Sequence, residues 1–334
     1  MSERERFLDQ IDALNPQNFE KHALFLFEYQ YKHNPIYKKY VDLLGRDVRA
    51  ISKLTNIPFL PIEFFKSQRV AAKNVSFNEQ AVFESSGTTA TGNSKHYVFD
   101  LNFYLQHSKQ LFEADYGELS DYTILALLPS YLERNNSSLV AMVDYFIKET
   151  ESEHSGFYLH DYQALIDKVV YLKEHQSNTK IIIWGVSFAL LDLAEDYKPD
   201  FSECIVMETG GMKGRRAEIT KAELHEILKQ GLNVSEVHSE YGMTELLSQS
   251  YSQGVGIFHP SKSMKILTRE VNDPFALTHS SQRAGGINVI DLANIDSCAF
   301  IETKDVGYVY PNGSFKVLGR FDHSDVRGCN LMVS

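Results

Sequence analysis

Apolar residues recur at helical spacing in the opening part of the chain and alternate in strand-like runs further on. Phe7, Ile11 and Leu14, then Phe19, Ala23, Leu24, Leu26 and Phe27, interrupted by Asn15-Pro16, predict two helices. Residues 37–44 predict a third, and Ile57-Pro58-Phe59-Leu60-Pro61 breaks the pattern before Phe64-Phe65. This opening reads as a helical collar, scaffold rather than chemistry. Beyond it, helices are predicted over 103–112, 137–147, 162–172, 188–193 and 221–228, alternating with apolar strands over 122–128, 180–184 and 204–207 and a short strand near 234–237. Apolar strands alternating with helices indicate an α/β sheet covered on both faces. Past Gly254 the runs 287–290, 299–302, 306–309 and 315–318, separated by Gly, Asn and Pro, predict antiparallel strands forming a distorted barrel or small sheet.

The two regimes meet at Glu84-Ser85-Ser86-Gly87-Thr88-Thr89-Ala90-Thr91-Gly92-Asn93-Ser94-Lys95, between apolar Ala81-Val82-Phe83 and alternating His96-Tyr97-Val98-Phe99. Small residues let backbone N–H groups and hydroxyls approach a polyphosphate, and Lys95 adds a point charge, so a nucleoside triphosphate is the expected ligand. The stretch is not a Walker A loop, because the Gly-Lys-Ser/Thr ending is missing and a strand follows. Taken alone it is equally a Ser/Thr/Gly turn between two strands.

Composition narrows the field. The 334 residues are 43% hydrophobic and 23% charged, as in ordinary globular proteins, and leave room for two domains or one with an appendage. A formal net charge of −11 with no basic stripe argues against sequence-independent nucleic-acid binding. The start of the chain lacks a signal-peptide apolar run and no stretch approaches a membrane span, so a cytoplasmic location is expected. Three scattered cysteines, Cys204, Cys298 and Cys329, suggest neither a disulfide framework nor a zinc site.

Ligands of such sheets sit beyond the carboxyl ends of the strands. Polar clusters fall there at 129–138, 208–216, 238–245 and 319–329. Ser85-Ser86-Gly87-Thr88-Thr89 with Lys95, the Tyr241-Gly242-Met243-Thr244-Glu245 box, Thr303-Lys304-Asp305 and Gly319-Arg320-Phe321-Asp322 stand in the order used by the adenylate-forming acyl-activating superfamily, which the chain resembles. More narrowly, Pro129-Ser130-Tyr131-Leu132-Glu133-Arg134 followed by Ser137-Ser138-Leu139, the run Gly210-Gly211-Met212-Lys213-Gly214-Arg215, and Ser324-Asp325-Val326-Arg327-Gly328-Cys329 are similar to the LuxE-like acyl-protein synthetases of bacterial bioluminescence, from about residue 80 onward.

The resemblance implies the N-terminal-domain architecture of adenylate-forming enzymes, layered α/β sheets with a small β-rich subdomain. The usual C-terminal lid would be missing or reduced to a short tail, and no lysine here can be assigned that lid's catalytic role. It divides the chain into a helical segment packed on the main domain (1–80), an α/β nucleotide- and acyl-binding core (81–253), a β-rich subdomain (254–318) and a hinge motif with a short tail (319–334). The implied reaction joins a carboxylic acid, a fatty acid in this family, to AMP and then passes the acyl group to a thiol. In the matching roles Ser85, Ser86, Gly87, Thr88, Thr89 and Lys95 hold the departing phosphates, Thr244 bonds the α-phosphate and Glu245 holds Mg2+. Tyr241 stacks on adenine beside Gly242, Gly210 and Gly211 admit it, Asp305 accepts from the ribose hydroxyls, and Arg320 contacts ribose or phosphate. Cys329 accepts the acyl group, and an acyl-reductase or other acyl-accepting protein is an implied partner. Each position has a bland alternative: aromatic packing for Tyr241, a helix-opening acid for Glu245, a tight turn for the glycines, and a surface ion pair for Asp305 and Arg320.

Rival readings remain open from the sequence. Coenzyme A could be the acceptor, as in phenylacetate-type ligases, or the chain could bind nucleotide without catalysis. Gly185-Val186-Ser187-Phe188-Ala189 is a near miss to the nucleophile elbow of serine hydrolases, with Ser187 as nucleophile.

Overall fold

The structure, a computed structural model, describes residues 1–73, 78–85, 92–128, 136–176, 179–211, 219–278 and 283–321. Of the predicted site residues, Ser86, Gly87, Thr88, Thr89 and Cys329 lie outside them.

Of the helices expected at the start, the first is only a short helix, Glu3–Leu8, followed by a 3-10 turn at Ile11–Ala13, and the next two are present. Helix α1 (Phe19–His33) is followed directly by α2 (Pro35–Leu43), whose Asn34 cap accepts from the backbone N–H groups of Ile36 and Tyr37 with Pro35 in the first turn. Their apolar faces close around Phe300, with the rings of Phe27, Tyr37 and Phe59 at 6.1–6.5 Å.

Strands β1 (Ala81–Glu84) and β2 (Lys95–Val98) form a separate antiparallel hairpin, in register from Ala81 opposite Val98 to Glu84 opposite Lys95. Helix α3 (Leu101–Tyr116) follows, capped by Asp100 and ended by Gly117 at φ 87°. The chain then alternates through β3 (Tyr122–Leu127), α4 (Ser138–Glu149), α5 (Tyr162–His175), β4 (Lys180–Val186), α6 (Ser187–Asp192), β5 (Cys204–Thr209), α7 (Lys221–Leu232) and β6 (His238–Tyr241). Strands β3 to β6 are parallel neighbours, and the strand expected near 234–237 is β6, a few residues further on. Six more strands are antiparallel: β7 (Ser250–Ser252), β8 (Ile257–Pro260), β9 (Met264–Arg269), β10 (Gly285–Asp291), β11 (Phe300–Val309) and β12 (Phe315–Arg320).

These halves form one sheet rather than a sheet and a barrel. Its order is β9-β10-β11-β12-β8-β7-β6-β5-β4-β3, with Leu277–Thr278 and Gly156–Phe157 at the two edges and Leu60–Pro61 paired to β11. Four-residue β8 is the seam: Ile257 and Phe258 pair with β12, His259 and Pro260 with β7. Position 254 falls in the β7–β8 turn, where Gly254, Val255 and Gly256 all have positive φ. Strands 299–302 and 306–309 are one strand, β11, with Thr303, Lys304 and Asp305 in its middle.

Among the described residues no helix is long and apolar enough to cross a membrane.

Candidate active site

Register and one side-chain hydrogen bond bring Tyr241, Asp305 and Arg320 together at the carboxyl end of β6. Tyr241 ends that strand, and its ring packs edge-on against Phe315 at 5.1 Å. Its hydroxyl donates to Asp305 Oδ2 at 2.9 Å, and Arg320, paired opposite Asp305 across β11 and β12, puts Nε 3.3 Å from Oδ1. Burial raises the Asp305 carboxyl above the usual range against the opposing pull of Arg320, while the Arg320 side chain is 67% exposed. An exposed guanidinium leaning on a buried carboxylate leaves both with unused hydrogen-bonding capacity toward solvent. Tyr241 is therefore placed as a support for Asp305 as much as an aromatic surface.

After Tyr241 the chain turns: Gly242 is exposed, Met243 and Thr244 are half-buried, and Glu245 is buried again. Glu245 is raised by burial, an effect opposed by a hydrogen bond from Ser94, and it senses the charges of Arg320 and Asp305. Backbone carbonyls fix this turn. His96 Nδ1 meets Thr244 O at 2.8 Å, Asn294 Nδ2 donates to Glu245 O at 2.8 Å and to Cys298 O at 3.0 Å, and His96 Nε2 meets Asn294 Oδ1 at 3.1 Å. Both ring nitrogens of His96 face oxygen acceptors, and burial, which holds the ring down at about 4, favours the neutral form that donates to one of the two.

The collar supports the same turn at one remove. Gln30 donates to the carbonyls of Asn294 and Ile295, Asn34 to that of Ser297, and Arg4 pairs with Asp296. Asn294→Ala should leave two buried carbonyls and one imidazole nitrogen unpaired and lower stability by about 2–4 kcal/mol, read from urea unfolding.

The hairpin arrives beside this turn. Ser85 Oγ accepts from the Ser94 backbone N–H at 2.9 Å, tying the two ends of the loop together. Lys95 does not join the cluster: its Nζ stands 3.5 Å from Glu84 Oε1 and the side chain is half exposed. Gly210, at φ 76°, is exposed after β5, and a Cβ added at Gly211 would meet no described atom within 4 Å, so open space faces that glycine.

Two acids at the ends of β5 and β6 fall within the polar clusters of the sequence reading but have no role in it. Glu208 is fully buried; burial alone would raise it, but Lys221, with His225, holds it at about 2. Ser187 Oγ donates to Glu208 Oε2 at 3.1 Å and Ser239 Oγ to Oε1 at 2.8 Å. A 1%-exposed hydroxyl that donates to a carboxylate so weakly basic is not an activated nucleophile, which counts against the hydrolase reading. Glu240, on the opposite face, accepts from Thr209 Oγ1, and burial pushes it up to about 7. Cys204 and Cys298 are buried thiols, each pushed up to about 12 and thus inert.

An open cavity of about 800 Å3 lies elsewhere, at the opposite ends of β6 and β7, lined by residues that include Asp115, Glu236, Tyr251, His259 and Tyr310. It contains none of the predicted site residues.

Solved structures share this fold. The chain aligns with ATP-bound MatB from Rhodopseudomonas palustris over 72% of its own length and 48% of that chain, at 15% identity and a TM-score of 0.52. It aligns with a long-chain-fatty-acid-CoA ligase from Archaeoglobus fulgidus over 72% and 51%, at 16% identity and a TM-score of 0.51. The chain therefore spans about half the length of these structures, and identity this low speaks for the fold alone. The fold is the mixed α/β architecture of the N-terminal domain of adenylate-forming enzymes, as the motif order implies. No protein-family model matches the chain, and no curated protein does.

Proposed function

We propose that the chain activates a carboxylic acid with ATP. A carboxylate oxygen attacks the α-phosphorus, the bond from that phosphorus to the bridging oxygen of the β-phosphate breaks, and acyl-adenylate and pyrophosphate result. The observation carrying this reading is the Tyr241–Asp305–Arg320 link beside Glu245 at the carboxyl end of the sheet. Asp305 accepts from the ribose hydroxyls, Arg320 meets ribose or phosphate, and Thr244 bonds the α-phosphate from the exposed turn after Gly242. Gly210 and Gly211 admit the adenine, and Ser85 with the hydroxyls after it and Lys95 receive the leaving pyrophosphate once Lys95 exchanges Glu84 for phosphate. Alignment and charge stabilisation are what such a site contributes.

Glu245 is the residue that would hold Mg2+. Mg2+ is commonly held by one or two carboxylates together with phosphate oxygens, and Glu245 is the acid of the proposed site that the motif order assigns to it. When bound, the ion neutralises triphosphate charge.

The acyl group then leaves AMP for a thiol. The support for Cys329 is the motif around it together with the inertness of Cys204 and Cys298. Acid-dependent ATP–pyrophosphate exchange tests the first half; ATP binding without exchange for any acid would leave a nucleotide-binding subunit instead. For the second half, labelled acid plus ATP should give protein-bound label that hydroxylamine releases and Cys329→Ser removes. Label appearing only as a soluble thioester when coenzyme A is added would assign the acceptor role to coenzyme A.

A further inference from the structure

The sheet face beneath the turn at Gly242 is polar where packing alone would make it apolar. Register aligns Val186, Thr209, Glu240, Tyr251 and His259 on successive strands β4, β5, β6, β7 and β8. Laterally paired residues share a face, so Thr209, Glu240 and Tyr251 stand side by side on it. Glu240 is 7% exposed, and Thr209 donates to its Oε2. No described residue donates to Oε1, which reaches up under Gly242 so closely that a Cβ there would fall 2.2 Å from it. Gln249 lies beside the same glycine, its Cγ 3.6 Å from that Cβ position. Gln249 Oε1 and the Tyr251 hydroxyl are buried without hydrogen-bond partners among the described residues.

Buried polar atoms are nearly always paired, and here two without a partner among the described residues, Gln249 Oε1 and the Tyr251 hydroxyl, stand with Glu240 at neighbouring strands under one turn of the proposed ATP site. They are two acceptors and a hydroxyl, and Lys221, whose charge reaches Glu240, is itself bonded to Glu208 on the other face. The row continues past Tyr251 and His259, both of which line the open cavity at the far edge.

We propose that the acid activated here carries a hydrogen-bond donor, an amine or a hydroxyl, on the part remote from its carboxylate, and that Glu240, Gln249 and Tyr251 receive it. This rests on the adenylation reading and replaces the plain alkyl chain that the family resemblance implies. A site built to bond a donor discriminates strongly against the analogue lacking it, because the alkyl compound leaves the same groups buried and unpaired. Glu240 is thus a specificity-determining residue.

The test is ATP–pyrophosphate exchange with alkanoic, hydroxyalkanoic and aminoalkanoic acids of matched length, on the wild-type chain, Glu240→Leu and Glu240→Gln, with folding checked by circular dichroism. A donor-bearing acid should exceed its alkyl counterpart in kcat/KM by about a hundredfold or more. Glu240→Leu should erase or invert that ratio, and Glu240→Gln should penalise the amine more than the hydroxyl. Should Glu240→Leu not fold, the wild-type ratio and Glu240→Gln decide. Alkyl acids equal to or better than their counterparts in the wild-type chain, or an unchanged ratio in a folded Glu240→Leu, overturn the proposal while leaving adenylation intact. Exchange with no acid of any series overturns both.

Discussion

Lys221→Met should lower the unfolding free energy by about 3–5 kcal/mol, measured from urea transitions at neutral pH. Lys221 Nζ is the cation that bonds Glu208 Oε1, and the Glu208 side chain has no exposure at all. Removing the cation leaves a buried carboxylate supported only by the Ser187 and Ser239 hydroxyls and by His225. The pH dependence should change with it. In the wild-type chain the folded Glu208 carboxyl sits near 2, below its unfolded value near 4.5, so its pairing contributes stability above about pH 4.5 that is lost as the pH falls towards 2. Without Lys221, burial dominates and raises the folded value above the unfolded one, so acidification should recover stability instead of removing it. The double variant Lys221→Met/Glu208→Gln should regain most of the loss, since no charge is then left unpaired. A loss below about 1 kcal/mol in the single variant would show that the pair is not what holds β5 and β6 in place.

That network also explains where sequence reading stops. Strands β3, β4 and β5 are apolar on both faces because helices cover both, and their period announces them. Strand β6 is His-Ser-Glu-Tyr, and β7 is Ser-Tyr-Ser. Both are buried strands, and in β6 polar side chains are met by groups on neighbouring elements: Ser239 by Glu208, Glu240 by Thr209, Tyr241 by Asp305. Single-residue hydrophobicity does not register a partner distant in the chain, so the expected strand slid to the apolar Val234 and Val237 and β7 went unseen. Asp305 interrupts β11 for the same reason, splitting one strand into two expected ones.

Motif order, not periodicity, singled out Tyr241, Asp305, Arg320 and Glu245 for the proposed site, and the fold brings these four side chains to one place. The residues that position them left no such mark. Asn294 lies in a buried turn whose polar composition, Asn294-Ile295-Asp296-Ser297, reads as a surface loop until the collar is folded over it. His96 looks like any inward residue of an alternating strand. The helical collar, expected to be scaffold, holds the 294–297 turn, whose Asn294 bonds the backbone of Glu245, so the first forty residues support the proposed site at one remove.

Asp305→Asn should cut kcat/KM for ATP in pyrophosphate exchange by about a hundredfold, with the KM for the acid little changed. The isosteric amide keeps an acceptor for the Tyr241 hydroxyl, so stability should move by no more than about 1 kcal/mol. What it removes is the negative charge that holds Arg320 and strengthens bonds from the ribose hydroxyls, and charge-assisted hydrogen bonds are the stronger kind. Tyr241→Phe separates support from contact: the ring still fills its place against Phe315, but Asp305 loses the donor that orients it, so about a tenfold loss is expected in the same parameter. Arg320→Gln should fall between the two if its guanidinium, 67% exposed, takes the proposed place beside the nucleotide. Were Asp305→Asn to leave the KM for ATP unchanged while Tyr241→Phe destabilised the protein, the three residues would be a packing device joining β6 to β11 and β12, and the nucleotide would have to bind elsewhere.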